Sequence, residues 1–413
     1  MFSLLLTAEQ KEIRETVRDF TRREIQPSAL ERDRIEEFDR RFPWEALDKA
    51  SRMGLRTLSL PAEHGGTGAD NLTACIVAEE LAVGDVGVSA TLSQTSTLAR
   101  LWFDRVMTPQ QRDRFLPQFL ADDRYHLAFA GHEPDTDLGW RYYRPAAAGA
   151  GYRTTAVRDG SGDWVINGVK NFITNAPIAK LIAVHARTVS KSGVPGVSAI
   201  LVARDSPGLT IREHDKVGRR LGSNGEIVLE NCRVPVENLL GEEGKSPMVS
   251  GGALGRRMPR FQAMNLGIGR AAYEAALEFA KMRVQGGRPI IGHQAVGLAL
   301  ADMAIKLEAA RSLIWQAAWA SDHPESYADG SLPSLPHQTI AKVYTSEAVQ
   351  QVVLEAAQMF GGMGVMRELP MQKYVRDALI FLHSENTNSV ARLRIAEALA
   401  GYRAGVPVNE SGE

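Results

Sequence analysis

Residues 152–166 have the sequence YRTTAVRDGSGDWVI, in which two short runs of apolar and β-branched side chains flank the turn Asp159-Gly160-Ser161-Gly162. A polar, glycine-containing turn between two such runs is typical of a β-hairpin. From about residue 7 to 120, and again from about 248 onward, apolar residues recur at helical spacing instead. The hairpin therefore predicts a β-domain between two helical parts, an α+β fold that is mostly α.

Further strand-like runs follow the hairpin, at 181–186, 197–202, 227–229 and 232–234. Proline and glycine separate them, as is typical of strands joined by turns. We therefore expect a middle antiparallel β-domain. The predicted domains are an N-terminal helical domain (1–123), the β-domain (124–242), a C-terminal four-helix bundle (243–404) and a tail (405–413).

Helix signals are specific at both ends of the chain. Thr7 and Gln10 have the spacing of a capping box. A helix-like run extends from Leu72 to Val83. In the C-terminal part, one apolar helix face is formed by Val296, Leu300, Met303, Leu307 and Ile314.

The composition is that of an ordinary globular enzyme, with 44% hydrophobic and 23% charged residues among 413. The formal net charge is −1 and no long basic run occurs, which argues against a nucleic-acid partner. No window approaches about 18 uninterrupted apolar residues, so no membrane span is expected. The apolar start at residues 1–6 lacks the basic segment of a signal peptide, and we expect a cytoplasmic protein.

The chain contains only two cysteines, Cys75 and Cys232. Two cysteines this far apart do not make a disulfide framework, so free buried thiols are predicted. The sequence also has no Cys-x-x-Cys motif and no cluster of cysteine and histidine. No metal site is expected.

Several short motifs give the sequence its most specific signal. They are Gly65-Gly66-Thr67-Gly68, His132-Glu133-Pro134, Ile173-Thr174-Asn175, Val234 to Gly241, Arg283 to Pro289, Gln358 to Gly364 and Ser384-Glu385-Asn386-Thr387. In these motifs, and in their order, the chain resembles the acyl-CoA dehydrogenase family over nearly its whole length. The resemblance implies an FAD-dependent oxidoreductase with an acyl-CoA substrate, forming a homodimer or homotetramer and passing electrons to an electron-transfer flavoprotein.

The resemblance implies α,β-dehydrogenation, in which a base removes the α-proton of the thioester while the β-hydrogen leaves as hydride to the flavin. Glu385 is the candidate catalytic base. It follows a mostly apolar run, residues 378–382, that is suited to line a dry pocket and raise its pKa. The structural alternative is a carboxylate at a helix start near Thr387. Asn386 stands where the family usually has glycine, although asparagine tolerates left-handed backbone better than most residues.

The resemblance also assigns the FAD contacts. Thr174 is expected to hydrogen-bond the isoalloxazine ring, and the alternative is an ordinary threonine at a strand end. Arg283 and Gln294 are expected to contact the FAD of a neighbouring subunit, because a guanidinium suits a pyrophosphate, and the alternative is a solvated arginine. Further cofactor contacts are expected at Phe129, Gly131, His132, Phe172, Gln358, Gly361, Gly362 and Thr387.

Besides Asn386, the sequence departs from the family pattern at three further places. Gly286 stands where phenylalanine is usual, so an aromatic contact with the cofactor is lost. Residues 135–139 replace the family's Gly-x-Gly-Ser-Asp segment and lack its hydroxyl. His132 replaces a threonine that lies beside the flavin ring. An imidazole there either tunes the flavin's potential and oxygen reactivity or serves only in packing.

The expected substrate contacts are Leu138, Arg257 and Met258. Arg256 and Arg257 either bind an acidic acyl group or form a solvated charge pair. Together with the altered loop they favour a non-standard acyl group that is cyclic, branched or aromatic.

Two other functions stay open at this point. His132 and the altered loop allow a flavin-dependent oxygenase or oxidase of the same fold, which would use oxygen. A non-catalytic subunit of a heteromeric assembly is the second alternative, and the presence of Glu385 argues against it.

Overall fold

The computed structural model describes residues 5–134, 151–189, 195–248, 258–323, 336–384 and 387–400. Within these ranges the chain begins with helices, continues through a β-sheet and ends in a helical bundle. The predicted α+β class, mostly α, is thereby confirmed. None of the described helices is long and apolar enough to cross a membrane. Both cysteines are buried and free, as predicted.

The N-terminal part consists of short helices around two buried ones. They are α1 (Ala8–Phe20), α2 (Gln26–Asp33), α3 (Phe38–Arg41), α4 (Trp44–Arg52), α5 (Asn71–Gly84), α6 (Val86–Ala99) and α7 (Pro109–Ala121). The predicted capping box begins α1: the Thr7 hydroxyl accepts a hydrogen bond from the backbone N–H of Gln10, and the Gln10 side chain accepts one from that of Thr7. Nearly all residues of α5 and α6 are buried, which makes these the central helices of this part.

The middle of the chain forms a sheet that has eight strands within the described ranges. They are β1 (His126–Ala130), β2 (Thr155–Arg158), β3 (Trp164–Thr174), β4 (Ala179–Val189), β5 (Pro195–Ala203), β6 (Leu209–Glu213), β7 (Asn224–Val234) and β8 (Leu239–Leu240). Their order is β6-β7-β3-β2-β4-β5-β8, with β1 also paired to β4. Most neighbours are antiparallel, as expected, but β1 and β2 run parallel to β4.

The predicted hairpin is present as β2 and β3. Arg158 pairs with Trp164 at the turn, and Ala156 pairs with Ile166 further along. Asp159 closes the turn by accepting a hydrogen bond from the backbone N–H of Ser161 at 2.9 Å. Gly162 has a φ of 92°, a conformation that side chains disfavour. The hairpin is therefore determined locally, by the turn residues themselves.

Within the described residues, the C-terminal bundle has three long and two short helices. They are α8 (Met258–Met282), α9 (Gln294–Asp322), α10 (His337–Met359), α11 (Met371–Leu379) and α12 (Asn388–Ala400). The predicted apolar face of α9 is buried from Leu300 to Ile314. A Cβ atom at Gly267 would lie 2.6 Å from the Glu79 carbonyl oxygen, so this glycine allows α8 to approach α5 closely.

Buried ion pairs hold the bundle against the N-terminal helices. Glu79 and Glu80 lie side by side on α5 and are both buried. Arg270 contacts both carboxylates, Arg311 contacts Glu79 at 2.8 Å, and Arg18 contacts Glu80 at 2.9 Å. Burial opposes ionisation of Glu80, but the hydrogen bonds from Arg270 and Arg18 lower its pKa. Because an unpaired buried charge is costly, these contacts fix the orientation of α5 relative to α8 and α9.

Candidate active site

The end of β1 positions three of the predicted cofactor contacts, Phe129, Gly131 and His132. Phe129 packs edge-on against His185, with ring centroids 4.7 Å apart. A Cβ atom at Gly131 would lie 2.8 Å from the Phe129 ring, so the chain needs glycine there. His132 is exposed, and its carbonyl oxygen accepts a hydrogen bond from the backbone N–H of Asn171 at 3.0 Å. This bond joins the end of β1 to a bulged part of β3.

At that bulge, β3 presents an aromatic ring to solvent. Phe172 has a φ of 55° and is 69% exposed. A bulky residue with positive φ is strained, and such strain persists where the surrounding structure imposes it. Here the Asn171 side chain accepts hydrogen bonds from the Phe172 backbone N–H and from the His214 ring, which lies 5.2 Å from the Phe172 ring. The exposed Phe172 and His132 therefore lie on neighbouring segments, available to a planar ligand.

Thr174 ends β3, and its hydroxyl has a defined hydrogen-bond partner. The Arg219 guanidinium donates a hydrogen bond to Thr174 Oγ1 at 3.3 Å. Arg219 is itself buried and has a φ of 52°. Its backbone N–H donates to Asp377 Oδ1 at 2.5 Å. Because Thr174 Oγ1 accepts this bond, the hydroxyl proton remains able to donate to a ligand.

Asp377 belongs to a buried network that joins all three parts of the chain. Lys373 contacts Asp377 Oδ2 at 2.6 Å and Asp85 Oδ2 at 2.7 Å. Burial opposes the charged form of Lys373, but the two carboxylates raise its pKa. Asp85 Oδ1 accepts hydrogen bonds from the backbone N–H groups of Gly87 and Val88 and so caps α6. The network connects α6, the loop that carries Arg219, and α11.

Glu133, in the His132-Glu133-Pro134 motif, forms a buried ion pair. Its carboxylate contacts Lys170 Nζ at 2.6 Å and accepts hydrogen bonds from the backbone N–H groups of Arg153 and Thr154. Burial alone would raise the pKa of Glu133, but these donors lower it to about 2. Burial lowers the pKa of Lys170 to about 8 despite the attraction of Glu133. The pair anchors the backbone that follows His132.

The three glycines after α10 differ in their surroundings. A Cβ atom at Gly364 would lie 2.2 Å from the Ala357 carbonyl oxygen, so Gly364 is required for packing. A Cβ atom at Gly361 or Gly362 would meet no atom of the described chain within 4 Å. Gly361 has a φ of 59°, as is typical of a residue that ends a helix. Gln358 is exposed one turn earlier. This surface is open to a ligand that approaches the backbone.

Arg283 and Gln294 lie at a different place, around a short hairpin between α8 and α9. Its strands are β9 (Val284–Gln285) and β10 (Arg288–Pro289). Gly286 and Gly287 both have positive φ, so the residue that replaces the family's phenylalanine forms a tight turn. Arg283 and Gln294 are both exposed, and no described residue offers the Arg283 guanidinium a hydrogen bond or ion pair.

Several predicted site residues lie outside the described ranges. They are the candidate base Glu385 with Asn386, Leu138 with the rest of segment 135–139, and the pair Arg256 and Arg257. Met258 is the first residue of α8. Thr387 is described, and its hydroxyl accepts a hydrogen bond from the backbone N–H of Val390 at 3.3 Å, at the start of α12.

Two residues that organise this site, Asn175 and Arg219, are not among the predicted site residues. Asn175 is buried with a φ of 67°, and its side chain donates hydrogen bonds to the carbonyl oxygens of Thr91 and Leu127. It thereby fixes the end of β3 against α6 and β1. In the sequence, only its position beside Thr174 in the Ile-Thr-Asn motif indicated a role for Asn175. Arg219 had only a weak signal, a second arginine beside Arg220 in a glycine-containing loop.

Comparison with known proteins agrees with this arrangement over nearly the whole chain. Three family models match: acyl-CoA dehydrogenase N-terminal domain over residues 7–123, middle domain over 147–232 and C-terminal domain over 252–400. An acyl-CoA dehydrogenase of Bacillus subtilis (strain 168) is 34% identical over 401 residues, covering 96% of this chain and 99% of the relative.

Solved structures show the same fold. Butyryl-CoA dehydrogenase from Megasphaera elsdenii has a TM-score of 0.84 at 31% identity, covering 97% of this chain and 100% of its own. A glutaryl-CoA dehydrogenase from Mycobacterium smegmatis, in complex with FADH2, has a TM-score of 0.82 at 25% identity, covering 97% and 96%.

The helical, β and helical order of this chain, together with its similarity to FAD-bound structures, is that of a flavin-dependent oxidoreductase. Within that class, this chain belongs to the acyl-CoA dehydrogenase family. The family membership, the oxidoreductase class and FAD as cofactor, all predicted from the order of the motifs, are confirmed.

Proposed function

We propose that this enzyme catalyses α,β-dehydrogenation of an acyl-CoA thioester, with Glu385 as the base that removes the α-proton. The observation that supports it most directly is the meeting of His132, Phe172 and Thr174, from two separate motifs, at the ends of β1 and β3. The backbone hydrogen bond from Asn171 to His132 joins the two segments, and Phe172 and Thr174 follow Asn171 on β3. Such convergence is expected of a binding site and not of unrelated surface residues.

The described residues fit FAD in three respects. Phe172 and His132 offer exposed rings beside which a flat ring system can stack. Thr174 has a hydroxyl proton available for donation, because its oxygen already accepts from Arg219. Gly361 and Gly362 leave open space beside the backbone, where side chains would otherwise stand. When bound, FAD supplies the acceptor for the β-hydride.

The segment that precedes Glu385 in the sequence supports its proposed role as the base. Phe381, four residues earlier, is fully buried and packs against Phe261 of α8 with ring centroids 4.7 Å apart. The mostly apolar sequence of residues 378–382 supports the proposal, because a carboxylate held in an apolar site has a raised pKa, as an effective base requires. The thioester oxygen must also accept hydrogen bonds as enolate charge develops.

We propose a homo-oligomer in which Arg283 and Gln294 contact the FAD of a neighbouring subunit. Large apolar side chains are exposed around the hairpin that carries Arg283 and along the first half of α9; they are Met282, Val284, Ile291, Leu298 and Ile305. Leu298 and Ile305 share one face of α9, since they are seven residues apart. An exposed apolar surface of this kind, adjoining the Arg283 cation that has no partner among the described residues, is suited to a second copy of the chain.

On the substrate side, we propose a non-standard acyl group, cyclic, branched or aromatic, with Leu138, Arg257 and Met258 among its contacts. The basis is the altered segment 135–139 together with the arginines before α8. We propose an electron-transfer flavoprotein as the acceptor and the cytoplasm as the compartment, the latter because a reducing environment suits two free, buried thiols.

The test is anaerobic mixing of the FAD-loaded enzyme with a panel of straight-chain, branched, cyclic and aromatic acyl-CoAs. Loss of the oxidised flavin absorbance identifies the substrate. Reduction by at least one acyl-CoA is expected, followed by slow reoxidation in air and fast reoxidation by an electron-transfer flavoprotein. Rapid reoxidation by oxygen would favour the oxidase alternative, whereas an enzyme that no acyl-CoA reduces would contradict the proposed reaction.

A further inference from the structure

Arg260, the third residue of α8, is a buried arginine whose side-chain partners are hydroxyl groups. The residue is 5% exposed. Its guanidinium donates hydrogen bonds to Thr97 Oγ1 and to Ser59 Oγ, each at 2.8 Å. Its Nε atom is buried and has no hydrogen-bond partner among the described residues. Since a guanidinium has five N–H donors, most of its donor capacity is unused in the described structure.

Arg270, a largely buried arginine on the same helix, has the carboxylate partners that a buried guanidinium normally has. Arg270 forms ion pairs with both Glu79 and Glu80. For Arg260, the described residues contain no carboxylate within ion-pair distance. Burial lowers the pKa of Arg260 to about 10, which still leaves the side chain cationic at neutral pH. A buried cation without a counterion is costly, and an arriving anion would relieve that cost.

The place of Arg260 in the fold links it to the proposed reaction. The adjacent Phe261 packs against Phe381, which is fully buried and lies four residues before the proposed base. On the other side, Thr97 brings the guanidinium against α6. The Arg260 side chain thus lies where α8 packs against α6. Its neighbour Phe261 contacts Phe381, four residues before the proposed base Glu385.

We propose that Arg260 is a specificity-determining residue that binds a carboxylate at the far end of the acyl group, so that the preferred substrate is an acyl-CoA bearing a second acidic group. This inference rests on the proposed function. A carboxylate can accept two parallel hydrogen bonds from a guanidinium, which is the strongest pairing open to this side chain. The Thr97 and Ser59 hydroxyls hold the guanidinium in place and carry no charge that would repel the anion.

The experiment compares acyl-CoAs of equal chain length with and without a terminal carboxylate: glutaryl-CoA against pentanoyl-CoA, and adipoyl-CoA against hexanoyl-CoA. Anaerobic flavin reduction is followed for the FAD-loaded wild type and for Arg260→Met and Arg260→Lys. In wild type we expect kcat/KM to be about tenfold or more higher for the acidic member of at least one pair, as a charge-assisted hydrogen bond provides. Arg260→Met should abolish this preference, and Arg260→Lys should retain part of it.

Gln262→Leu is the matched control. Gln262 is also buried on α8, and its amide atoms have no partner among the described residues, but it carries no charge. This variant should leave the ratio within each pair unchanged. Thermal unfolding shows whether each variant is folded; should Arg260→Met fail to fold, the wild-type ratios and Arg260→Lys still decide.

The outcomes separate the two proposals. Preference of the wild type for the uncharged member of both pairs would overturn the role of Arg260 and leave the dehydrogenase reaction in place. An equal loss of activity toward both members in Arg260→Met would show a structural role only. Failure of every acyl-CoA, in these pairs and in the wider panel, to reduce the flavin would instead contradict the proposed function itself.

Discussion

The Arg219 guanidinium donates a hydrogen bond to the Thr174 hydroxyl, and the backbone N–H of the same arginine donates to Asp377. The Arg219 guanidinium thereby orients the Thr174 hydroxyl, and Asp377 on α11 holds Arg219 in position. A hydroxyl group that accepts one hydrogen bond from a cation becomes a better donor in its other direction. The orientation of the proposed flavin contact thus depends on a residue in a loop and on a carboxylate in the C-terminal bundle.

Replacement of Arg219 by methionine should weaken FAD binding about tenfold, because the charge-assisted hydrogen bond that orients Thr174 is lost. FAD affinity measured by fluorescence titration of the apoprotein, with the flavin absorbance spectrum of the loaded enzyme, provides the readout. Arg212→Met is the control, since Arg212 on β6 is largely exposed. Equal FAD affinity in both variants would show that Arg219 has no part in cofactor binding.

Glu385→Gln should retain FAD and bind acyl-CoA but reduce the flavin ~10²–10⁴-fold more slowly, because glutamine cannot accept the α-proton. Glutamine is nearly isosteric with glutamate, so folding should be preserved. Rapid-mixing absorbance spectroscopy with the best acyl-CoA measures the rate. Glu368→Gln, at an exposed position, is the control. A rate within a few-fold of wild type would remove Glu385 from the mechanism.

Two neighbouring glycines after α10 should respond differently to substitution, one through FAD affinity and the other through stability. Gly362→Val should fold normally and lose FAD affinity, because its side chain would occupy the open space beside the backbone. Gly364→Ala should lower the free energy of unfolding by about 1–3 kcal/mol, because its Cβ would clash with the Ala357 carbonyl oxygen. Denaturant unfolding and FAD titration distinguish the two. Unchanged FAD affinity in Gly362→Val would place the cofactor elsewhere.

Arg283→Ala should weaken FAD retention about tenfold or more without reducing stability, because Arg283 is exposed and has no partner among the described residues. FAD titration and light scattering measure cofactor affinity and oligomeric state together. Lys281→Ala is the control. Lys281 is also exposed and lies two residues before Arg283, but its ammonium already pairs with Glu278. A fully FAD-loaded monomer would contradict the proposed shared site.

Acid should destabilise the protein through Glu133. Its pKa lies at about 2 in the folded chain against an ordinary value of 4.5. A lowered pKa contributes stability that is complete above about pH 4.5 and is lost as the pH falls toward 2. Glu133→Gln should be less stable at pH 7, since Lys170 loses its partner, and should show a shallower loss of stability in this range. Melting temperatures from pH 7 to 2.5 measure both effects, and equal slopes would contradict this assignment.

Features determined by neighbouring residues could be predicted from the sequence. The Asp159-Gly160-Ser161-Gly162 turn and the Thr7–Gln10 capping box depend only on residues within a few positions of each other. The parallel pairing of β1 with β4 could not be predicted, because strand-like composition does not specify a partner or a direction.

The candidate site could be predicted from the sequence only in part, for a similar reason. Thr174 and Gly361 stand in motifs, so the sequence indicates them. Arg219 and Arg260 carry charge in segments where solvated arginines are common, and only the tertiary structure shows that both are buried. The helix start near Thr387 was already one of the two interpretations of the sequence, and the hydrogen bond from Val390 to the Thr387 hydroxyl agrees with it.

The contact between Arg219 and Asp377 joins residues 158 positions apart. During synthesis, the middle part of the chain leaves the ribosome well before α11 exists, so Arg219 then lacks the carboxylate that holds its backbone. Closing so long a loop is entropically costly and comes late in folding. The proposed flavin contact at Thr174 therefore reaches its final form only after the C-terminal helices have been made and docked, so we expect FAD to bind only to the completed polypeptide.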